Sequence, residues 1–589
     1  MGTAAATTPA DSRTAPAPTA ARAHAAARWW QSTWALAAAG NVLLWAALPP
    51  VGFAPLAWIA PVPWILLVRR NTLAGRRPYG VIWFTSFLCW LAVLHWVTLP
   101  HWATSIGWVA LCFYLGCYLP VFVGLCRVAV HRLHLSPIVA APVVWTGLEY
   151  ARAHLLSGFT MATLATTQYR WPLVLQTSDI FGCYGVSFLM MLVAAGIAQM
   201  LPWGERRASW WPAVPVVAAL AAALSYGQWR LNEQATRPGP KIALIQGSID
   251  IDMKHDPTQS QRIFDEYIDL SLQAVREHRD LDLMVWPETM FRYPWFTFED
   301  GYVPPADAIS MEEAQSRSRR AVANTVKPLG VPLVLGIDTV HGAAAGNELL
   351  RYNTALFLEP GGALLGRYDK CHPVMFGEYI PLAKTFPWIY QLTPLVAGVE
   401  AGPGPQAVTI GNTCYAANIC FEDILPHLIR RQVWELRQRN AEPDVLLNLT
   451  NDGWFWGSSE LDLHLACALP RAIECRKPLL IAANTGFSAW IDSCGRIRAQ
   501  GPRRATDVIV ANVEIDRRAS WYVEHGDVPA GLCLIATLVL AAAGLGGRWQ
   551  ARRAAARASA WNGPRGARRI DTLFPQDYQD SSCRIDFSR

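Results

Sequence analysis

Charge is scarce in this chain. Of 589 residues, 16% are Asp, Glu, Lys or Arg, where soluble globular proteins carry about a quarter. That scarcity argues against a protein lying wholly in water. The 52% hydrophobic content argues equally against a disordered or nucleic-acid-coating chain. The net charge of +6 is small for this length and gives no electrostatic case for nucleic acid. No Cys-X-X-Cys pair stands among the 13 cysteines, so zinc-ribbon and thioredoxin-like chemistry have no basis. Residues 1–28 are Ala, Thr and Pro with scattered Arg. They lack the apolar core and small-residue cleavage site of a removable signal peptide and are expected to be a disordered arm. What is abundant is Trp, with 27 residues, a residue that favours membrane–water interfaces. The mean hydropathy of +0.17 is lower than spans alone would give, so one part is expected in a bilayer and another in water.

Apolar runs cover Trp34–Pro49, Pro50–Val68, Tyr79–Leu99, Thr104–Cys126, Ser136–Leu156, Ser178–Leu201, Trp210–Tyr226 and Val528–Gly547. Their lengths suit helices crossing about 30 Å of hydrocarbon, which predicts about eight spans. Pro55, Pro61 and Pro63 interrupt the second. Basic residues mark alternate loops: Arg13, Arg22 and Arg28; Arg69, Arg70, Arg76 and Arg77; Arg127 and Arg132; Arg206 and Arg207; and the Arg-rich tail from Arg548 to Arg569. The loops near Pro50 and His101 carry none. By the positive-inside rule both termini face the cytoplasm and residues 230–527 face the opposite side.

After Pro238-Gly239-Pro240 the texture changes. Short strand-like runs (Lys241–Gln246, Asp282–Trp286, Pro332–Asp338, Thr354–Leu358, Ala363–Tyr368, Ala407–Ile410, Tyr415–Cys420, Val445–Leu449, Leu479–Ala483, Phe487–Ile491, Val508–Val513) alternate with helical ones. The helices are Thr258–His278, Met311–Val326, Ile424–Arg439 and Leu461–Arg476. This order predicts a layered α/β fold.

Three polar sites lie just past strands: Glu288 after Trp286-Pro287, Lys370 followed by Glu378, and Cys420 entering a helix through Phe421, Glu422 and Asp423. A strand-to-helix turn exposes a nucleophile and aims backbone N–H groups at it. A carboxylate can deprotonate the thiol and a lysine can offset developing negative charge. Taken singly, each has an ordinary reading: a Cys at a strand end as a small core residue, Glu and Lys as surface residues.

Together, and in this order, these residues resemble the nitrilase superfamily, whose fold is an αββα sandwich. The joined membrane half makes the chain similar to the apolipoprotein N-acyltransferase family. The resemblance is carried by Trp145, Glu149, Arg152, Gly158-Phe159 and Gln168, then by Ile245-Gln246-Gly247, Trp286-Pro287-Glu288, Lys370 and Phe376-Gly377-Glu378-Tyr379. It continues through Cys420-Phe421-Glu422, Asn451-Asp452-Gly453-Trp454-Phe455, His464, Arg471, Glu474, Arg476, Pro478, Asn484 and Gly486. It implies Glu288 as general base, Lys370 as transition-state stabiliser and Cys420 as nucleophile. Phe421 N–H would help form the oxyanion hole, Glu378 would orient Lys370 or substrate, and Glu422 would be a further glutamate needed near the nucleophile. The bland reading of Glu422 is an acid favourable at a helix start.

The implied reaction has two halves. The Cys420 thiolate takes an acyl chain from the sn-1 ester of a phospholipid, and the α-amino group of a diacylglyceryl apolipoprotein then accepts it. The implied setting is the bacterial inner membrane, with a periplasmic catalytic domain and a monomeric enzyme that uses no cofactor and no metal. The chain is divided accordingly into an arm (1–28), a membrane domain of about seven helices (29–229), a catalytic domain (230–527), a last span (528–547) and a basic, lipid-headgroup-facing tail (548–589). A membrane-tethered nitrilase-type amidase is the rival, and a non-enzymatic scaffold a second. The chain departs from the family at Thr160-Met161, near His255, at Phe421 and at Trp456. Two aromatic segments, 294–298 with Trp295 and 386–390 with Trp388, are expected as lids dipping into lipid or as core; Trp454 and Phe455 are further substrate-contact candidates. Cys467 and Cys475 on one helix are too far apart for a disulfide. The Asn448 sequon is discounted because its strand is expected to be buried.

Overall fold

The computed structural model describes residues 29–203, 208–392 and 398–561. The arm 1–28, Arg206, Arg207 and the tail after Trp561 lie outside the described residues. The chain forms two compact units, Met1–Leu540 and Ala541–Arg589. The described part of the second is helical, the end of the helix Val528–Trp561, which runs beyond the expected end at Gly547.

The N-terminal part is helical: Thr33–Ala47, Pro61–Arg69, Pro78–Val93, Thr104–Gly116, Tyr118–Arg132, Pro137–His154, Cys183–Met200 and Ala213–Asn232. Among the described residues three stretches are long and apolar enough to cross a membrane: Thr104–Arg132, Cys183–Met200 and Val528–Gly546. Thr33–Ala47, Ala54–Arg69 and Pro78–Val93 are apolar but shorter. Some of these helices turn large apolar side chains outward. On Thr104–Gly116, Cys112, Leu115 and Gly116 are buried, while Ile106, Val109 and Phe113 are exposed. The expected run Ser178–Leu201 is broken. A short helix, Ser178–Phe181, ends at Gly182, and Cys183–Met200 starts anew. Gly182 has φ +64°, and a Cβ there would stand 2.7 Å from the Tyr522 ring, so glycine alone fits both demands.

The rest builds two sheets. Their strands are β1 (Thr236–Gln246), β2 (Leu283–Val285), β3 (Trp295–Phe298), β4 (Leu333–Ala343), β5 (Glu348–Leu358) and β6 (Leu364–Asp369). They continue with β7 (Ala407–Ile410), β8 (Thr413–Ile419), β9 (Val445–Thr450), β10 (Leu479–Ala483), β11 (Ala489–Ile491), β12 (Ile497–Gln500) and β13 (Asp507–Asp516). One sheet has the order β13-β1-β2-β4-β5-β6, with β3 paired to β4; the other is β12-β11-β10-β9-β8-β7. The centres are parallel (β1/β2/β4 and β8/β9/β10) and the flanks antiparallel. β3 and β12 are strands that pattern alone did not predict.

Parallel strands buried on both faces read as unbroken apolar runs, and alternate residues serve different layers. Leu244, Val285 and Phe357 face Ile419, Leu447 and Leu480 between the sheets. Ile245, Met284 and Leu335 pack under the helices Ser260–Glu277 and Met311–Val326 through Ile263, Tyr267 and Val322. On the other side Leu446, Leu479 and Ile481 pack under the helices Pro426–Gln438 and Glu460–Cys475. The result is helix, sheet, sheet, helix. The last layer is continuous with the helical part: one buried cluster joins Ile429, Val433 and Leu465 to Phe122, Val144 and Met190.

A polar weld joins the same two parts. Asp179 accepts from Arg476 (Nε 2.9 Å), Arg230 (Nε 2.9 Å) and Tyr226 (2.8 Å). Arg476 Nη1 also donates to Gln176 at 2.8 Å. Asp179 and Arg476 are fully buried, so the Arg476 charge depends on Asp179 for compensation, while Asp179 draws on both Arg476 and Arg230.

Candidate active site

Glu288, Lys370 and Cys420 each follow the carboxyl end of a strand, and the topology brings those ends together. β6 is antiparallel to β5, and β5 to β4, so β6 runs in the direction of β2. Glu288 and Lys370 therefore emerge on one edge. Cys420 follows β8, and Asn451 follows the parallel neighbour β9. Asn451 N–H donates to Glu288 Oε2 at 2.9 Å, which joins the two sheets at the site. Gly336 on β4 lets the Glu288 turn come close; a Cβ there would sit 2.0 Å from Pro287 O.

The buried Lys370 ammonium is 2.9 Å from Glu378 Oε1 and 3.5 Å from Glu288 Oε1. Burial alone would lower its pKa; Glu378 and Glu288 more than offset this and hold it above the ordinary value. Glu378 is anchored through Val374 N–H at 2.7 Å. Glu288 is pushed up by burial, with Lys370 opposing. The Cys420 thiol is pushed up by burial and then by Glu288, while Lys370 pulls it down; the net direction is upward. The resting group is thus a thiol that needs a base. Cys420 has φ +53°, a backbone conformation that costs a non-glycine residue on the order of 1–3 kcal/mol and persists only where the surroundings enforce it.

Glu422 supplies part of that enforcement. It accepts from Ile419 N (2.7 Å), Cys371 N (2.8 Å), His372 N (2.9 Å) and Tyr368 OH (2.9 Å). A helix-start acid would bond only its own turn; this one ties the end of β8 to the segment after Lys370. Phe421 stacks on His372 at 6.5 Å. His372 Nε2 in turn donates to Ser157 O at 2.8 Å in the helical part. Thr160, at one departure from the family pattern, donates its hydroxyl to Ile424 O just past the nucleophile. Trp456, another departure, takes a left-handed conformation, with Arg504 5.7 Å from its ring centroid.

The two aromatic segments separate. Residues 294–298 are not a loop: β3 pairs with β4, and Trp295 is buried core at 6% exposed. A lid there is corrected, because the strand's backbone hydrogen bonds and the Trp295 packing both hold it down. Trp388 is 57% exposed in the turn Pro387–Leu392, with Phe376, Leu382 and Phe386 exposed nearby in the chain. Phe455 packs edge-on to Trp96 of the helical part at 5.0 Å, and Trp454 stands partly exposed.

Asn353 on β5 was not expected. Its Nδ2 donates to Glu288 Oε1 at 2.6 Å and to Glu378 Oε1 at 3.3 Å, bracing both carboxylates. Its backbone oxygen accepts from Lys370 N–H at 2.8 Å. A lone Asn beside a strand carries no local signal of such a role. Among the described residues the donor atoms of Asp452, Glu460 and His464 lie within 4.8 Å of one another. Both His464 nitrogens are engaged by carboxylates, at Asp423 and Asp452, which makes this a hydrogen-bonded group and not a set of free ligands. Cys467 and Cys475 are free thiols. Asn448 is fully buried in β9, where it donates to Asn418 Oδ1 at 2.7 Å.

A crystal structure of an amidase from Nesterenkonia sp. is 18% identical with a TM-score of 0.33, over 51% of this chain and 98% of that one. The model of the apolipoprotein N-acyltransferase N-terminal domain matches residues 40–196, and that of carbon-nitrogen hydrolases matches residues 241–523. The apolipoprotein N-acyltransferase of Geobacter metallireducens is 34% identical over 520 residues, 86% of this chain and 94% of the relative. That of Rhodopirellula baltica is 31% identical over 551 residues, 86% and 95%. With both family models and these near full-length relatives matched, the chain belongs to the apolipoprotein N-acyltransferase family.

Proposed function

We propose that the protein is an acyltransferase that moves an acyl chain from a phospholipid to the N-terminal α-amino group of a diacylglyceryl apolipoprotein, through a thioester on Cys420. The observation that carries this reading is the buried Glu288–Lys370 pair, joined by Glu378, whose charges act on a strand-end thiol, in a domain packed against apolar helices. Glu288 takes the thiol proton, and the thiolate attacks the sn-1 ester carbonyl. Lys370 and Phe421 N–H offset the oxyanion. Collapse expels the lysophospholipid, whose alkoxide receives the proton from Glu288. The amine then attacks the thioester; Glu288 takes its proton and returns it to the leaving thiolate. The thioester stores the chain between two bulky substrates that need not bind together.

The setting proposed is the inner membrane, crossed about eight times, with the catalytic domain periplasmic, both termini cytoplasmic and a monomeric enzyme. The domain limits proposed are 29–229, 230–527 and 528–547, with a basic tail thereafter. The exposed apolar faces, Ile106, Val109 and Phe113 among them, support immersion in lipid, since water-soluble surfaces rarely carry such patches. A tethered amidase would use the same three residues; the match over residues 40–196 favours acyl transfer.

Mass spectrometry of purified protein mixed with phospholipid tests the reading. An acyl mass on the Cys420 peptide, absent in Cys420→Ala, is expected. No adduct, together with turnover of a small amide, would replace it with the amidase. We further propose that the segment around Trp388 contacts lipid. Replacing Trp388 and Ile389 with Ser is expected to slow acylation from vesicle-borne phospholipid several-fold while the unfolding midpoint holds. Unchanged rates would remove the lid.

A further inference from the structure

A buried histidine next to the nucleophile's turn has no part in the steps above. His464, on the helix Glu460–Cys475, is 4% exposed. Its Nε2 is 3.1 Å from Asp423 Oδ1 and its Nδ1 is 3.1 Å from Asp452 Oδ1. Glu460 Oε1 stands 4.0 Å from Nδ1. A neutral imidazole has one N–H, so its second nitrogen would turn a lone pair toward a carboxylate oxygen. Two carboxylate contacts at this distance require a proton on each side of the ring. Imidazole is the stronger base of the two partners, which makes the ring an imidazolium.

The two aspartates belong to the turns that frame the thiol. Asp423 lies in the turn Cys420–Ile424, and Asp452 opens the turn Asp452–Phe455. Asp452 is held in its own right: Thr450 Oγ1 donates to it at 2.9 Å, and a Cβ on Gly486 would meet its Oδ2 at 2.0 Å. A residue at φ +53° needs such bracing.

We propose that His464 is a positioning residue for the acylation step: as an imidazolium it clamps the Cys420 turn to the Trp454–Phe455 turn and offsets the buried Asp452, which would otherwise oppose thiolate formation. The idea rests on Cys420 being the nucleophile. The charges facing the clamp are Asp423, Asp452 and Glu460, with Arg471 acting on Asp423. Burial would lower the His464 pKa, but Asp452 and Asp423 hold it well above the ordinary histidine range. At Cys420, Lys370 and His464 both favour the thiolate, while Glu288 and Asp452 oppose it. Without His464 the balance tips further toward the neutral thiol.

The test is the pH dependence of Cys420 alkylation by iodoacetamide on the full chain in detergent, read on the Cys420 peptide by mass spectrometry. It needs no acyl donor, so its failure is distinct from failure of the acyltransferase reading. In His464→Gln the midpoint is expected to rise by about one pH unit, with alkylation about tenfold slower below it. Phospholipid-driven acylation should slow in parallel. An unshifted midpoint in folded His464→Gln overturns the proposal. Should that variant fail to fold, Asp452→Asn keeps the volume and removes the aspartate charge that opposes the thiolate. Its midpoint is expected to fall, a sign that loss of packing does not produce; an unchanged or raised midpoint overturns the proposal.

Discussion

Glu288→Gln is expected to slow thioester formation at Cys420 by roughly 10²- to 10⁴-fold, the range over which a positioned base contributes. The substitution is isosteric. Asn353 Nδ2 and Asn451 N–H bond different oxygens of Glu288, at 2.6 and 2.9 Å; a carboxamide has one oxygen and so keeps one of these bonds, and an unfolding midpoint measured alongside separates lost proton transfer from a disturbed site. The demand on the base is large because the thiol it must deprotonate is pushed upward by burial. The same environment sets the acid limb in the native enzyme. Burial raises Glu288 above the usual glutamate value, with Lys370 only partly opposing. A base must be ionised to act, so activity should be lost as pH falls through that raised pKa, at a higher pH than an exposed glutamate would give. Single-turnover acylation followed by mass spectrometry across pH measures both effects. Retention of the native rate in Glu288→Gln would assign the base elsewhere.

The second large effect is on stability. Asp179→Ala should destabilise the protein by about 3–5 kcal/mol, because removing one partner of a buried ion pair leaves the other uncompensated. Here two buried arginines lose their bond to Asp179 Oδ2: Arg476, and Arg230, which keeps a second carboxylate in Glu233 at 2.8 Å. Asp179 sits in the short helix Ser178–Phe181 and Arg476 at the end of Glu460–Cys475, so the pair joins the helical part to the sandwich. A lowered unfolding midpoint, with protease cleavage appearing between the two parts, is the expected result. An unchanged midpoint would mean that the apolar contact alone carries the junction.

The amino-acid sequence alone determined what depends on local pattern. Apolar runs of helix length, short apolar runs of strand length and the polar residue past each strand's end placed Glu288, Lys370 and Cys420 in their turns. Helices such as Met311–Val326 follow from spacing, because burying one face requires that period whatever the partner. What remained open depends on which surfaces meet. Trp295 reads equally as lid or core until β3 is seen paired to β4. Asn353 is one Asn near a strand until β5 carries it between Glu288 and Glu378. Gly182 interrupts an apolar run that hydropathy counts as unbroken. Asp179 and Arg476, far apart in the chain, bond only once the helical part is docked. Hydrophobic period records burial and not the partner, and a buried charge gains its compensation from whatever the tertiary fold brings to it. The catalytic candidates were therefore legible one at a time, while their bracing by Asn353, Glu422 and His464 was decided by the tertiary structure.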